Sequence, residues 1–147
     1  MNDDKRFFTI EEADRLVPWL SRKLKVVLEH KMAIEQLVDS HKEFSCMIEV
    51  TSDEGFQFML NNNVQASKVF HAVCLRFYDA LQEILDKGLI VKDLDQGLVD
   101  FPYWFQGRQV LLCWKLGEKG VLYWHEPEAG FQGRQLIVNL DRVYRKR

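Results

Sequence analysis

Apolar residues recur at Ile10, Ala13, Val17, Leu20, Leu24, Val27, Ile34 and Val38, with Lys31 interrupting the series and His41 continuing it. The spacing alternates between three and four, the seam of an antiparallel hairpin or coiled coil. Thr9 precedes Glu12 by three residues. That is a capping box, in which hydroxyl and carboxylate each satisfy an orphan backbone N–H. The pattern predicts a helix from about Thr9 into the low forties, kinked at Pro18, where a ladder hydrogen bond is lost. Phe44 to Gly55 is ambiguous: Phe44–Val50 fits a helix extension, a short strand or a loop. Thr51 with Glu54 is a second N-terminal cap. It opens a second helix to Lys87, with Gly88 as its stop and Asn61-Asn62-Asn63 as a fray or the true start. This helix carries two adjoining stripes. One is Leu60, Val64, Ser67, His71, Cys74, Tyr78, Leu81 and Leu85; the other is Ala66, Phe70, Val73, Phe77, Ala80 and Ile84. So broad an apolar face calls for cover on two sides, by the first helix and a sheet.

Beyond Gly88 the period changes from 3.6 to 2. Strands are predicted at Leu89–Lys92, Leu98–Phe105, Gln109–Leu116 and Val121–Glu126, with a fifth at Leu136–Leu140. Turns at Leu94–Gly97, Gln106–Arg108 and Gly117–Gly120 join neighbours antiparallel, giving a four- to five-stranded meander. Pro102 removes a ladder donor, so a bulge or a local break is expected there. By parity one face collects Val99, Phe101, Tyr103, Phe105, Val110, Leu112, Trp114, Leu116, Val121, Tyr123 and His125. The other takes Asp100, Pro102, Trp104, Leu111, Cys113, Lys115, Leu122, Trp124 and Glu126. The first face is expected to pack on the helices, and a slip of one residue would flip either set. The fold class is therefore α+β: one domain over 1–147, with a coiled-coil-like helical hairpin at about 9–87 and an antiparallel sheet at about 89–140.

Composition narrows the function without naming it. Twenty basic and 22 acidic residues in 147 give a net charge of −2. No global field points to nucleic acid, and the basic tail Asp141–Arg147 is too small a patch to change that. No apolar run reaches the ~20 residues of a membrane span, and the charged N-terminus has no signal-peptide core. Cys46, Cys74 and Cys113 form no C-x-x-C pair, so zinc-ribbon and thioredoxin-like readings fail on spacing. They read as buried free thiols of a cytoplasmic protein. Nucleophile elbows, Walker loops and dinucleotide fingerprints do not occur in the sequence.

Two groups of polar residues could carry chemistry. Phe105-Gln106-Gly107-Arg108-Gln109 is echoed by Phe131-Gln132-Gly133-Arg134-Gln135. Either turn chemistry is used twice, or Arg108 and Arg134 converge on a carboxylate or phosphate. The second group is the acids Asp93, Asp95, Asp100, Glu118, Glu126 and Glu128 around His125. Asp100, Glu118 and His125 offer oxygen and imidazole donors for a divalent metal, or a carboxylate–histidine pair for proton transfer. Their spacing matches no fixed metal motif, and His125 is equally a hydrogen-bonded core histidine. His30 and His41 share a face of the first helix and His71 lies on the second, but His41 and His71 read more simply as polar seam positions than as a histidine-only site.

Residues Lys92-Asp93, Gly97-Leu98-Val99-Asp100-Phe101-Pro102, Gly107-Arg108, Leu112–Glu118, Trp124-His125 and Gly130-Phe131-Gln132-Gly133-Arg134, with the opening Arg6–Ala13, carry a resemblance. The chain resembles the domain of unknown function 2203 family of small bacterial and archaeal proteins, densely from Lys92 to Arg134 and thinly across the helices. The resemblance implies no activity. It does imply that Asp93, Asp100, Arg108, Glu118, His125 and Arg134 belong to one pattern, a candidate ligand site. The favoured expectation is a non-catalytic binding, regulatory or assembly module, self-associating or meeting a protein partner through its helices. One alternative is a divalent-metal-dependent enzyme or metal-binding protein using Asp100, Glu118 and His125. A small-anion sensor built on Arg108 and Arg134 is another. Against all three stands mutual pairing of these acids and arginines into a structural network.

Overall fold

The computed structural model describes residues 6–40, 64–138 and 140. Helix α1 spans Ile10–Ser40 and α2 spans Val64–Asp86. Strands β1 (Ile90–Asp93), β2 (Leu98–Phe105), β3 (Arg108–Lys115), β4 (Tyr123–His125) and β5 (Gln135–Leu136) form one antiparallel sheet in chain order. A 3-10 turn, Phe131–Gly133, precedes β5. The fold is α+β, as the change of period requires. The expected Thr51–Glu54 cap, the Phe44–Gly55 segment, Cys46, His41 and the basic tail lie outside the described residues.

The described residues fall into two compact units. One comprises the chain up to Leu24 together with Glu83 onward; the other is Lys25–Gln82. In the first, α1 begins on the predicted capping box: the Glu12 amide donates to Thr9 Oγ1 (3.0 Å) and the Thr9 amide to Glu12 Oε1 (3.1 Å). These bonds hold the Glu12 carboxyl below its usual range. The helix continues through Pro18. Ala13, Val17, Leu20 and Leu24 are buried with Ile84, Leu89 and most of β2 and β3. Lys23 pairs with Glu83, and the Lys87 ammonium lies over the Trp19 ring, so the two chain segments run antiparallel here. At Gly88 the amide closes α2 on the Leu85 carbonyl with φ at +89°, a conformation natural to glycine. In the second unit, Phe70 is buried against Ile34, Leu37, Val38 and Cys74. Phe70 belongs to one expected stripe and Cys74 to the other; of the latter stripe Ser67 is buried, whereas His71 and Tyr78 are exposed. The double cover expected for both stripes is not found at these positions.

Three sheet expectations need correction. Pro102 neither bulges nor breaks β2, which pairs with β3 in unbroken register from Leu98↔Lys115 to Phe105↔Arg108. The irregularity falls instead in β1, between Val91 and Asp93. Pro102 is tolerated because it lies past the residues that β1 pairs, and its carbonyl accepts the Phe8 amide (2.8 Å). The fifth strand is shorter and earlier than expected, at Gln135–Leu136. Finally, β4 is one residue out of the expected phase: Leu111↔His125, Leu112↔Trp124 and Cys113↔Tyr123. A four-residue turn at Gly117–Gly120 would have set Leu116 opposite Val121. The Val121 amide instead donates to Asp14 Oδ1 (2.7 Å), and the strand starts at Tyr123. Tyr123 and His125 therefore share a face with Asp100, Pro102, Leu111 and Cys113, while Trp124 joins Val99, Phe101, Leu112 and Trp114. Trp124 is buried, not exposed beside Trp104.

Candidate functional site

That change of phase assembles the site. Asp100 and Cys113 are direct partners across β2 and β3, and His125 lies one strand further on the same face. All three side chains are buried: Asp100 is 1% exposed, Cys113 2% and His125 2%. One donor atom from each falls within 4.8 Å of the others. Together they line a pocket of about 160 Å³ whose remaining wall is Lys92, Leu98, Pro127, Glu128, Gly130 and Phe131.

Hydrogen bonding fixes the imidazole. His125 Nδ1 is 2.7 Å from the Glu126 carbonyl oxygen, which can only accept, so Nδ1 carries a proton. Nε2 faces Asp100 Oδ2, 3.1 Å away. Two lone pairs face each other unless a proton, or another cation, lies between them. The second carboxylate oxygen, Asp100 Oδ1, is buried and makes no hydrogen bond of ordinary geometry among the described residues, the Cys113 thiol being another side chain that interacts with this carboxylate. Burial raises the Asp100 carboxyl above its ordinary range, against the opposing pull of His125. Burial, and then the neighbouring Asp100 carboxylate, push the Cys113 thiol up to about 12. Such a thiol is no thiolate nucleophile at neutral pH. Nor does the imidazole bridge Cys113 and Asp100 as a triad base would, because its other nitrogen is spent on the backbone.

The other residues expected at the site have different tasks. Glu118 is not in the cluster. Both its carboxylate oxygens accept from Arg134 Nη2 (2.7 and 2.8 Å), and Oε1 also accepts the Lys115 amide (2.7 Å). The Arg134 guanidinium lies over the Tyr123 ring (3.9 Å) and the Phe131 ring (4.7 Å). Arg134 thus binds β4, the β3–β4 connection and the Phe131 wall of the pocket to one another. Arg108 forms a forked pair with Glu126, and the pairing holds Glu126 below its usual range and raises Arg108. The residue so pinned is the one whose carbonyl orients His125. Asp93 caps the β1–β2 turn through the Gln96 amide (3.0 Å) and side-chain amide (3.1 Å). The two arginines thus each meet their own carboxylate, and the two Phe-Gln-Gly-Arg strings fold differently, one in a hairpin turn and one as the 3-10 turn.

Cys113 is the donor that sequence reasoning missed. It reads as a small buried hydrophobe, and its spacing from His125 fits no motif. The available signal was its shared face with Asp100, which alternation alone supplies.

A family model described as an uncharacterized conserved protein, DUF2203, matches residues 6–137, and the chain belongs to that family. No curated protein and no solved structure matches it. Among the described residues no helix is long and apolar enough to cross a membrane.

Proposed function

We propose that this member of the DUF2203 family is a metal-dependent binding protein, with Asp100, Cys113 and His125 holding one transition-metal ion of the zinc class. The observation that carries this reading is a buried triangle of sulfur, nitrogen and oxygen donors within 4.8 Å, one carboxylate oxygen making no hydrogen bond of ordinary geometry among the described residues. A mixed set of this kind selects zinc or a neighbouring first-row ion over calcium or magnesium, which require oxygen shells. The hydrogen bond behind the imidazole supports it as well: a ligating histidine characteristically donates its other ring N–H to a carbonyl or carboxylate, as Nδ1 does to the Glu126 carbonyl. With bond lengths of about 2.0–2.3 Å the wider separations in the triangle would close by roughly an ångström, while His125 Nε2 and Asp100 Oδ2, already 3.1 Å apart, would not. Three protein donors leave one position open toward the pocket, the arrangement of sites that bind a ligand rather than of four-donor structural sites. A reduced Cys113 suits a cytoplasmic setting.

The test is equilibrium dialysis against zinc followed by metal quantification. The wild-type protein is expected to keep one equivalent. Cys113→Ser and His125→Gln, checked for native circular dichroism, are expected to lose it, and Glu118→Gln to keep it. Absence of bound zinc in the wild type, or equal retention in the first two variants, would overturn the reading.

Self-association is supported by a separate feature of α2. Leu75 and Tyr78 are each 62% exposed and three residues apart on one helix, the spacing of neighbouring seam positions. Light scattering over a concentration series is expected to show a dimer that Leu75→Lys with Tyr78→Lys converts to monomer. A monomeric wild type would remove this reading and leave the metal site untouched.

A further inference from the structure

Resting on that metal reading, we infer that the open coordination position is a binding site for a small monocarboxylate with a short apolar tail. The pocket is divided by chemistry. Its floor is the donor triangle; Leu98, Pro127 and Phe131 are apolar wall; Lys92 and Glu128 bring one charge of each sign. A volume of about 160 Å³ is close to that of an engineered cavity of about 150 Å³ that takes up benzene, so a ligand of roughly six to eight non-hydrogen atoms fits.

Charge decides the head group. With a divalent ion in place, its two positive charges are met by the Asp100 carboxylate and the Cys113 thiolate, while Lys92 and Glu128 balance one another. The loaded pocket is then near neutral. One added negative charge can sit on the ion in a pocket that Lys92 also lines, whereas a doubly charged phosphate would leave that pocket two charges negative. A carboxylate oxygen also suits a borderline Lewis acid. The tail then lies against Phe131, whose ring carries the Arg134 guanidinium at 4.7 Å and the Lys115 ammonium at 5.5 Å.

Cobalt(II) substitution tests both layers separately, because its thiolate charge-transfer band reports the ion and its visible bands report the open position. Acetate, propionate, butyrate and inorganic phosphate are the probes, titrated into the cobalt-loaded full chain. Butyrate is expected to shift the visible bands saturably, with affinity rising about threefold to fourfold per methylene from acetate. Phosphate is expected to act more weakly than butyrate. Phe131→Ala should flatten the chain-length series while leaving the charge-transfer band in place. Lys92→Ala should weaken every carboxylate by roughly threefold to fivefold. A thiolate band with visible bands indifferent to butyrate would overturn the inference and spare the metal site. So would phosphate binding more tightly than butyrate, or a flat series in the wild type. Failure to form the thiolate band at all would overturn the metal reading itself.

Discussion

At the residue scale, the chemistry of the buried cluster turns on what lies between His125 Nε2 and Asp100 Oδ2. With Nδ1 committed as donor to the Glu126 carbonyl, a proton or another cation must lie between Nε2 and Asp100 Oδ2. Asp100→Asn keeps the shape and can offer an amide hydrogen to Nε2, so the metal-free protein should retain most of its stability. Asp100→Ala leaves Nε2 buried without a partner, at a cost of roughly 1–3 kcal/mol. Urea denaturation of the two variants checks this order; equal losses would contradict the assignment of the Nδ1 proton. The residue types at this site were all visible in the sequence. Their grouping was not, since Cys113 carries no spacing signal and Glu118 is as good a donor on paper as any other acid.

At the element scale, the capping box and the Gly88 stop were legible because each is a local device whose partners lie within a few residues. The phase of β4 was not, because it is set by Asp14 accepting the Val121 amide across 107 residues of chain. One such tertiary bond moved His125 from the expected packed face to the face of Asp100 and Cys113, which is the difference between a core histidine and a site. The two arginines show the same contrast between spacing and environment. Arg134 is mostly buried, paired with Glu118 and stacked on two rings, whereas the Arg108–Glu126 pair is exposed. Arg134→Ala should therefore cost about 2 kcal/mol and disorder the Phe131 wall. Arg108→Ala should leave the melting midpoint nearly unchanged. Thermal melts of both variants check this; a larger loss in Arg108→Ala would reverse the roles given to the two turns.

At the scale of the whole molecule, fold class and family membership were legible from the change of period at Gly88 and from the dense pattern between Lys92 and Arg134. The expected mutual pairing of acids and arginines holds for Glu118 with Arg134, and Arg108 likewise pairs with an acid, Glu126. It does not extend to Asp100, whose neighbours are His125 and Cys113. The most direct test of the central claim is X-ray absorption at the zinc edge of the loaded protein, because it reads the donor set itself. The expected spectrum has one sulfur near 2.3 Å and nitrogen or oxygen neighbours near 2.0 Å, in a four-coordinate shell completed from outside the chain. A shell without sulfur, or one with two or more sulfurs, would contradict the site built from Asp100, Cys113 and His125.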